Sequence, residues 1–382
     1  MLFRKRTNKI FMLTFILTLL IPLSGAFAAP KPPEVTSPVA ILMDVATGEM
    51  IYAQAETERW QPASLTKIMT LYLANKSLAE GAISLNDEVL VSEKAWRTIG
   101  SRMFIEVGTK VTVEELFQGI TIVSGNDASV AIAEFLAGTE EAFADRMNDK
   151  ARELGMTGSH FVNSHGLANS EHYSTGLDLA ILARQYILDF PEMLNYHSTG
   201  EYTYNGIKQQ NYNGLLKYPE IDGLKTGHVA GTNNLIATGQ KDGYRLLAVI
   251  LGAQSESERE RDAYALLNYG LNNYEARVLA REEQEQGQIR IYKGRSSKLA
   301  VALEKDLFVT LLKGDEPELK VDLPEYLEAP INKGDKVGNL IVISRIGEKQ
   351  YSLVAMEDVP KGNFLKSFFH SIWLAIKNLI SK

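Results

Sequence analysis

A serine hydroxyl is a weak nucleophile until a base removes its proton. A lysine can be that base if burial or a second cation lowers its pKa. In Ser64-Leu65-Thr66-Lys67 the two lie three residues apart, so on a helix they share a face and the amine can meet the hydroxyl. A serine at a helix start also sits among free N–H groups that favour developing negative charge. Alone, the tetrapeptide recurs by chance and reads as an ordinary N-cap serine followed by a surface lysine. Two further segments change the weighting. Ser124-Gly125-Asn126 falls in a tight break between helical stretches, where side chains can project into a cleft. Lys225-Thr226-Gly227 falls on a strand-like run, where the glycine lets a ligand or another backbone come close.

In this order the three segments resemble the penicillin-recognising serine enzymes, whose signature is Ser-x-x-Lys, Ser-Asp-Asn and Lys-Thr-Gly. More narrowly, three stretches resemble the low-molecular-mass penicillin-binding proteins that act as D-alanyl-D-alanine carboxypeptidases. They are Pro62-Ala63-Ser64-Leu65-Thr66-Lys67-Ile68-Met69-Thr70, Ser124-Gly125-Asn126-Asp127-Ala128 and Asp222-Gly223-Leu224-Lys225-Thr226-Gly227-His228. The likeness runs over about residues 36–276 and more weakly beyond. It implies an α/β (α+β) catalytic domain of the serine β-lactamase/DD-peptidase kind, with an antiparallel sheet and a helical region. It also implies roles. Ser64 is acylated and Lys67 is its base, while Ser124 and Asn126 relay protons and position the peptide. Lys225 supplies positive charge beside Ser124, and Thr226 binds the substrate's terminal carboxylate next to Gly227. The backbone N–H groups of Ser64 and His228 form an oxyanion hole. Arg259, a few residues past Gly252-Ala253-Gln254-Ser255, either faces that carboxylate or is a solvated helix residue. The implied reaction removes the terminal D-alanine from peptidoglycan pentapeptide stems, with β-lactams as acylating inhibitors. No metal or organic cofactor is implied.

Three rival readings are weighed on residues. A class A β-lactamase needs a deacylating glutamate in a Glu-x-x-x-Asn segment. The spacing here, Glu201 to Asn205, falls in an expected surface hairpin, and Gly125 stands where those enzymes have aspartate. Slow β-lactam deacylation is therefore expected. A catalytically silent wall-binding or scaffolding protein has no chemical reason to keep Ser64, Lys67 and Lys225 together. His160, His165 and His172 are a conceivable zinc set, but they lie in a Gly/Asn/Ser-rich loop rather than on one helical face.

The elements that must carry these groups are readable in outline. Val39–Met43 and Met50–Ala53 form a hairpin, and Ser64 to about Glu80 is a buried helix closed by Gly81. Thr112-Val113-Glu114-Glu115 is a capping box, with helices continuing through Ala128–Leu136, Glu140–Leu154 and Gly176–Leu188. Strands follow at Gly223–Val229, Asn234–Gln240 and Arg245–Ala253, the last two joined by Asp242-Gly243, and a helix spans about Glu256–Tyr274. Around Ala276–Gln288 the chain turns polar and linker-like. Six short alternating strands beyond it imply a small all-β sandwich or barrel.

The chain has 382 residues, 45% apolar and 23% charged, with no cysteine, which excludes disulfide dependence and global disorder. Its net charge of −7 gives no footprint for nucleic acid as a partner. Both ends run against that sign. Arg4, Lys5, Arg6 and Lys9 precede an apolar run and Ala26-Phe27-Ala28, the order of a cleavable signal peptide. Lys361, Lys366, Lys377 and Lys382 fall in a terminal amphipathic segment, with Phe364, Leu365, Phe368, Phe369, Ile372, Trp373, Ile376, Leu379 and Ile380 on one half of the wheel. Leu374 is the apolar exception on the other half. The expected organisation is a signal peptide over 1–28, a catalytic domain over 29–277, an all-β domain over 278–360 and an anchoring helix over 361–382. An exported enzyme on the outer, periplasmic side of the cytoplasmic membrane is expected, bound to an anionic membrane surface through residues 361–382.

Overall fold

The computed structural model describes residues 30–229 and 231–380; the expected signal peptide lies outside the described residues. At its centre five antiparallel strands run in the order Met50–Gln54, Val39–Asp44, Tyr244–Ala253, Thr232–Lys241, Ile221–Val229. Val39–Met43 and Leu246–Leu251 are apolar at every position because both faces of the sheet are covered. Ile41, Met43, Leu247 and Val249 pack under the helical layer, and Ala40, Leu42, Leu246 and Ala248 under the helix Glu256–Asn273. The hairpin turn Asp242-Gly243 has positive φ at both residues, as the Asp-Gly pair favours.

The helical layer holds Lys67–Ala79, Val113–Thr121, Asn126–Ala137, Glu140–Glu153 and Gly176–Asp189. Thr112 and Glu115 form the capping box reciprocally. The stretch expected as one helix from Ser64 begins instead as a 3-10 turn, Ala63–Thr66, and becomes α-helical at Lys67. No side chain caps it. Ala63 takes a positive φ of 51°, wedged between two close backbone approaches described below.

The expected linker is a correction. Tyr274–Ala280 is a strand that follows the preceding helix directly and pairs with Leu307–Leu312. A second, six-stranded sheet includes Gly287–Tyr292, Lys298–Ala302, Lys336–Ser344 and Gly347–Ala355, and a short parallel strand at Tyr326–Glu328 that the sequence did not signal. The two sheets share a core of Ile289, Leu299, Val309, Leu311, Leu340 and Leu353. Thr310 donates from Oγ1 to the buried Asp44 Oδ2 at 2.6 Å, and Lys349 pairs with Glu49, tying this β domain to the first hairpin. Phe364–Ile380 is the terminal helix, and among the described residues no helix is long and apolar enough to cross a membrane.

Candidate active site

Three elements meet where the sequence placed its three segments. Ser64, Ser124, Asn126, Thr226, Gly227, His228 and Arg259 all line one cleft of about 290 Å³, together with Gly100, Ser101, Gly166, Leu167 and Tyr212. Lys67 lies beneath its floor, fully buried.

The surroundings of Lys67 define its chemistry. Its Nζ is 2.9 Å from Ser64 Oγ, 2.7 Å from Asn126 Oδ1 and 2.8 Å from the His165 carbonyl. Asn126 is held in this orientation by its own amide, which donates to the Ile99 carbonyl at 2.6 Å. Two of the three partners are therefore acceptors only. A neutral amine satisfies them with its two N–H bonds and has its lone pair left for the Ser64 hydroxyl. Burial, then the nearby Lys225, push the Lys67 pKa well below the ordinary lysine range against the opposing pull of Asp127. The site thus favours the base form.

Lys225 is itself buried, and burial together with Arg259 brings its ammonium down to about 7. Its Nζ donates to the Thr226 carbonyl at 3.1 Å. Arg259 is 1% exposed, which excludes the solvated-helix alternative. It donates to the Tyr212 carbonyl at 3.0 Å, its Nε has no partner among the described residues, and it stands 3.7 Å from Glu256. A buried guanidinium with unused donors on a cleft wall suits a carboxylate. Gly227 lies on the sheet's edge strand, so that strand's free side borders the cleft. His228 is exposed and its Nδ1 is 3.1 Å from Asn233 Oδ1.

Several residues that hold these groups were not singled out from sequence. Asp127 is fully buried and accepts from the N–H groups of Met103, Phe104 and Ile105, fixing the loop whose Ile99 carbonyl orients Asn126. Asn234 donates to the Gln61 carbonyl at 2.9 Å, tying the sheet to the nucleophile turn. A Cβ on Gly166 would stand 1.8 Å from the Ala63 carbonyl oxygen, and one on Gly227 3.0 Å from that of Pro62. Only glycine lets both strands of chain press on the turn that presents Ser64. Glu140 accepts from Ser164 N–H and Oγ at 3.0 and 2.8 Å and lies 3.3 Å from His165 Nε2, so it pins the loop whose carbonyl holds Lys67. These contacts join residues far apart in the chain, and no spacing signals them.

The histidines of the loop have separate partners. His160 Nδ1 lies 2.6 Å from the Glu171 carbonyl, His165 faces Glu140, and His172 Nε2 lies 2.7 Å from Thr66 Oγ1. Among the described residues no group of three or more metal-binding side chains comes together. Glu201 sits on the surface hairpin Glu201–Tyr204/Ile207–Gln210, paired with Lys208 at 2.8 Å and outside the cleft lining.

Burial depresses His165 and His172 to about 4 and His197, beneath the edge strand, to about 3. In the unfolded chain each returns to about 6.5. Between pH 6.5 and 4 the unfolded chain therefore binds more protons, and stability falls as pH falls, by at most about 1.4 kcal/mol per unit for each ring. Denaturant melts at pH 7, 6 and 5 are expected to show this decline. In His197→Gln the slope should be shallower; an unchanged slope refutes the assignment of that ring.

Comparison with known proteins follows the geometry. A family model described as D-alanyl-D-alanine carboxypeptidase matches residues 26–255, and one described as the penicillin-binding protein 5 C-terminal domain matches residues 274–361. D-alanyl-D-alanine carboxypeptidase DacD of Salmonella typhimurium is 38% identical, covering 87% of this chain and 89% of that protein. DacF of Bacillus subtilis is 35% identical over 85% and 86%. The crystal structure of penicillin binding protein 5 from Haemophilus influenzae superposes with a TM-score of 0.83 at 33% identity, covering 87% of this chain and all of that one. Penicillin-binding protein D2 from Listeria monocytogenes in its ampicillin-bound form matches 62% of this chain with a TM-score of 0.57 at 28% identity. With this ancestry and this cleft, the chain belongs to the D-alanyl-D-alanine carboxypeptidase family of penicillin-binding serine peptidases.

Proposed function

We propose that this enzyme removes the terminal D-alanine from peptidoglycan pentapeptide stems through an acyl-enzyme on Ser64. The observation that carries the reading is the Lys67 amine, buried and directed at Ser64 Oγ by two acceptor-only partners. Ser64 Oγ attacks the penultimate D-alanine carbonyl as its proton passes to Lys67 Nζ. The oxyanion is held by the N–H groups of Ser64 and His228. The C–N bond then breaks and the leaving amine takes the proton that Lys67 received, passed through the Ser124 hydroxyl, while Asn126 holds the Lys67 amine in place and positions the peptide. Water adds to the ester, and the stem peptide leaves with Ser64 restored. Lys225, Thr226 and Arg259 hold the substrate's terminal carboxylate, with Gly227 giving it room beside the edge strand. β-Lactams acylate the same serine; Glu256 on the cleft wall stands 3.7 Å from Arg259 and Glu201 lies outside the cleft, so slow hydrolysis of that ester is expected.

The domain division at 277/278, export by residues 1–28 and peripheral attachment by residues 361–382 complete the reading. The protein works outside the cytoplasmic membrane, its anionic surface holding the terminal helix. A fluorescent penicillin should label the wild-type enzyme and not Ser64→Ala, and Ser64→Ala should release no D-alanine from a pentapeptide. Labelling that survives in Ser64→Ala overturns the nucleophile assignment.

A further inference from the structure

The β domain carries an unneutralised pair of cations. Arg290 and Lys298 stand directly opposite each other on adjacent antiparallel strands, both exposed. Like charges in that register repel. Among the described residues no carboxylate pairs with either one. Both line a cleft of about 700 Å³ with Tyr292, Ser297 and Glu325.

The terminal helix borders that cleft. His370 is on its wall, accepts from the Lys293 N–H at 2.8 Å and packs edge-on against Tyr292 at 5.1 Å. Leu374, the exception on the polar half of the wheel, is 4% exposed. His370 and Leu374 therefore face the β domain. Phe364, Leu365, Phe368, Phe369, Ile372, Trp373 and Ile376 remain exposed on the other. A helix lying in a membrane interface sinks its apolar face to the acyl boundary and keeps its polar flank at headgroup level. The cleft, with His370 on its wall, lies beside that flank.

We propose that the Arg290–Lys298 cleft binds the phosphate-bearing headgroup of an acidic phospholipid, so that the β domain takes part in membrane binding. This rests on the reading of residues 361–382 as an interfacial helix. An anion between the two cations relieves their repulsion, and the Ser297 hydroxyl on the same wall can donate to it. The helix supplies apolar attachment and the cleft supplies selection for acidic lipid.

Co-sedimentation of the full-length mature protein with vesicles tests it, using phosphatidylcholine alone and phosphatidylcholine with phosphatidylglycerol. The wild type should bind the acidic vesicles more tightly. Arg290→Gln/Lys298→Gln should lose about five-fold for each cation, roughly 30-fold for the pair, on acidic vesicles only. Its penicillin labelling should match wild type, which reports an intact fold. Lys305→Gln/Lys320→Gln removes the same charge from this domain outside the cleft and should change binding less than three-fold. A cleft variant that keeps its acidic preference overturns the proposal, as does a control pair that loses as much. If the wild type binds neither vesicle, the anchoring reading fails and the proposal with it. Binding to both without preference overturns the proposal alone.

Discussion

Lys67→Ala is expected to be acylated by penicillin at least about 10³-fold more slowly than the wild type, the scale of losing a positioned general base. Among the described residues no other amine is placed to replace it. Lys225 Nζ makes its hydrogen bond to the Thr226 carbonyl, not to Ser64. Lys225→Ala should therefore retain acylation and weaken it about ten-fold, through the carboxylate it helps to hold. The substitution at 67 also leaves Asn126 Oδ1 and the His165 carbonyl without their buried donor, at about 1–3 kcal/mol for each. Thermal melts on the same samples separate that loss from the chemical one, since a folded protein that does not label has lost its base. Near-normal labelling of Lys67→Ala sinks the assignment. Because burial and Lys225 lower the Lys67 pKa, the acylation rate of the wild type should rise with pH and level off below the ordinary lysine range.

The catalytic core was legible where local rules govern it. The i, i+3 spacing of Ser64 and Lys67, the Thr112–Glu115 capping box and the Asp242-Gly243 turn each concern a few neighbouring residues, and each has its expected form. What was not legible depends on contacts between distant segments. The 3-10 turn at Ala63–Thr66 is fixed by Gly166 and Gly227 pressing on it from elsewhere in the chain. Ala276–Ala280, the first part of the observed strand Tyr274–Ala280 beyond the expected helix, read as the start of a linker because its residues lack a strong apolar alternation. It is a strand because Leu307–Leu312 lies beside it. The sequence leaves Arg259 between a solvated helix position and one facing the substrate carboxylate, and the fold buries it against the Tyr212 carbonyl. Leu374 broke the helical wheel for the same kind of reason: it faces protein, whereas Phe364, Leu365, Phe368, Phe369, Ile372, Trp373 and Ile376 face outward.

Truncation after Lys361 should release the enzyme from membranes and leave its chemistry intact. Seven large apolar side chains of the terminal helix are exposed in the folded protein, Phe364 at 82%. Burying each in an acyl boundary is worth roughly 1.5–3 kcal/mol before ordering and interfacial losses. A third of that sum already gives firm partitioning. Attraction of basic residues to acidic headgroups adds to it and is screened by salt, whereas the apolar part is not. The full-length mature protein should therefore float with liposomes and resist stripping by salt alone, and the truncated form should stay in solution. The helix meets the β domain at Lys293 and Tyr292 through His370, and none of its described residues lines the cleft around Ser64. Penicillin acylation and hydrolysis of a small soluble peptide should be unchanged within about two-fold. A truncated protein that still floats places the anchor elsewhere. One that loses activity on the soluble peptide shows that the helix supports the catalytic body, and its exposed aromatic face is then not a lipid face.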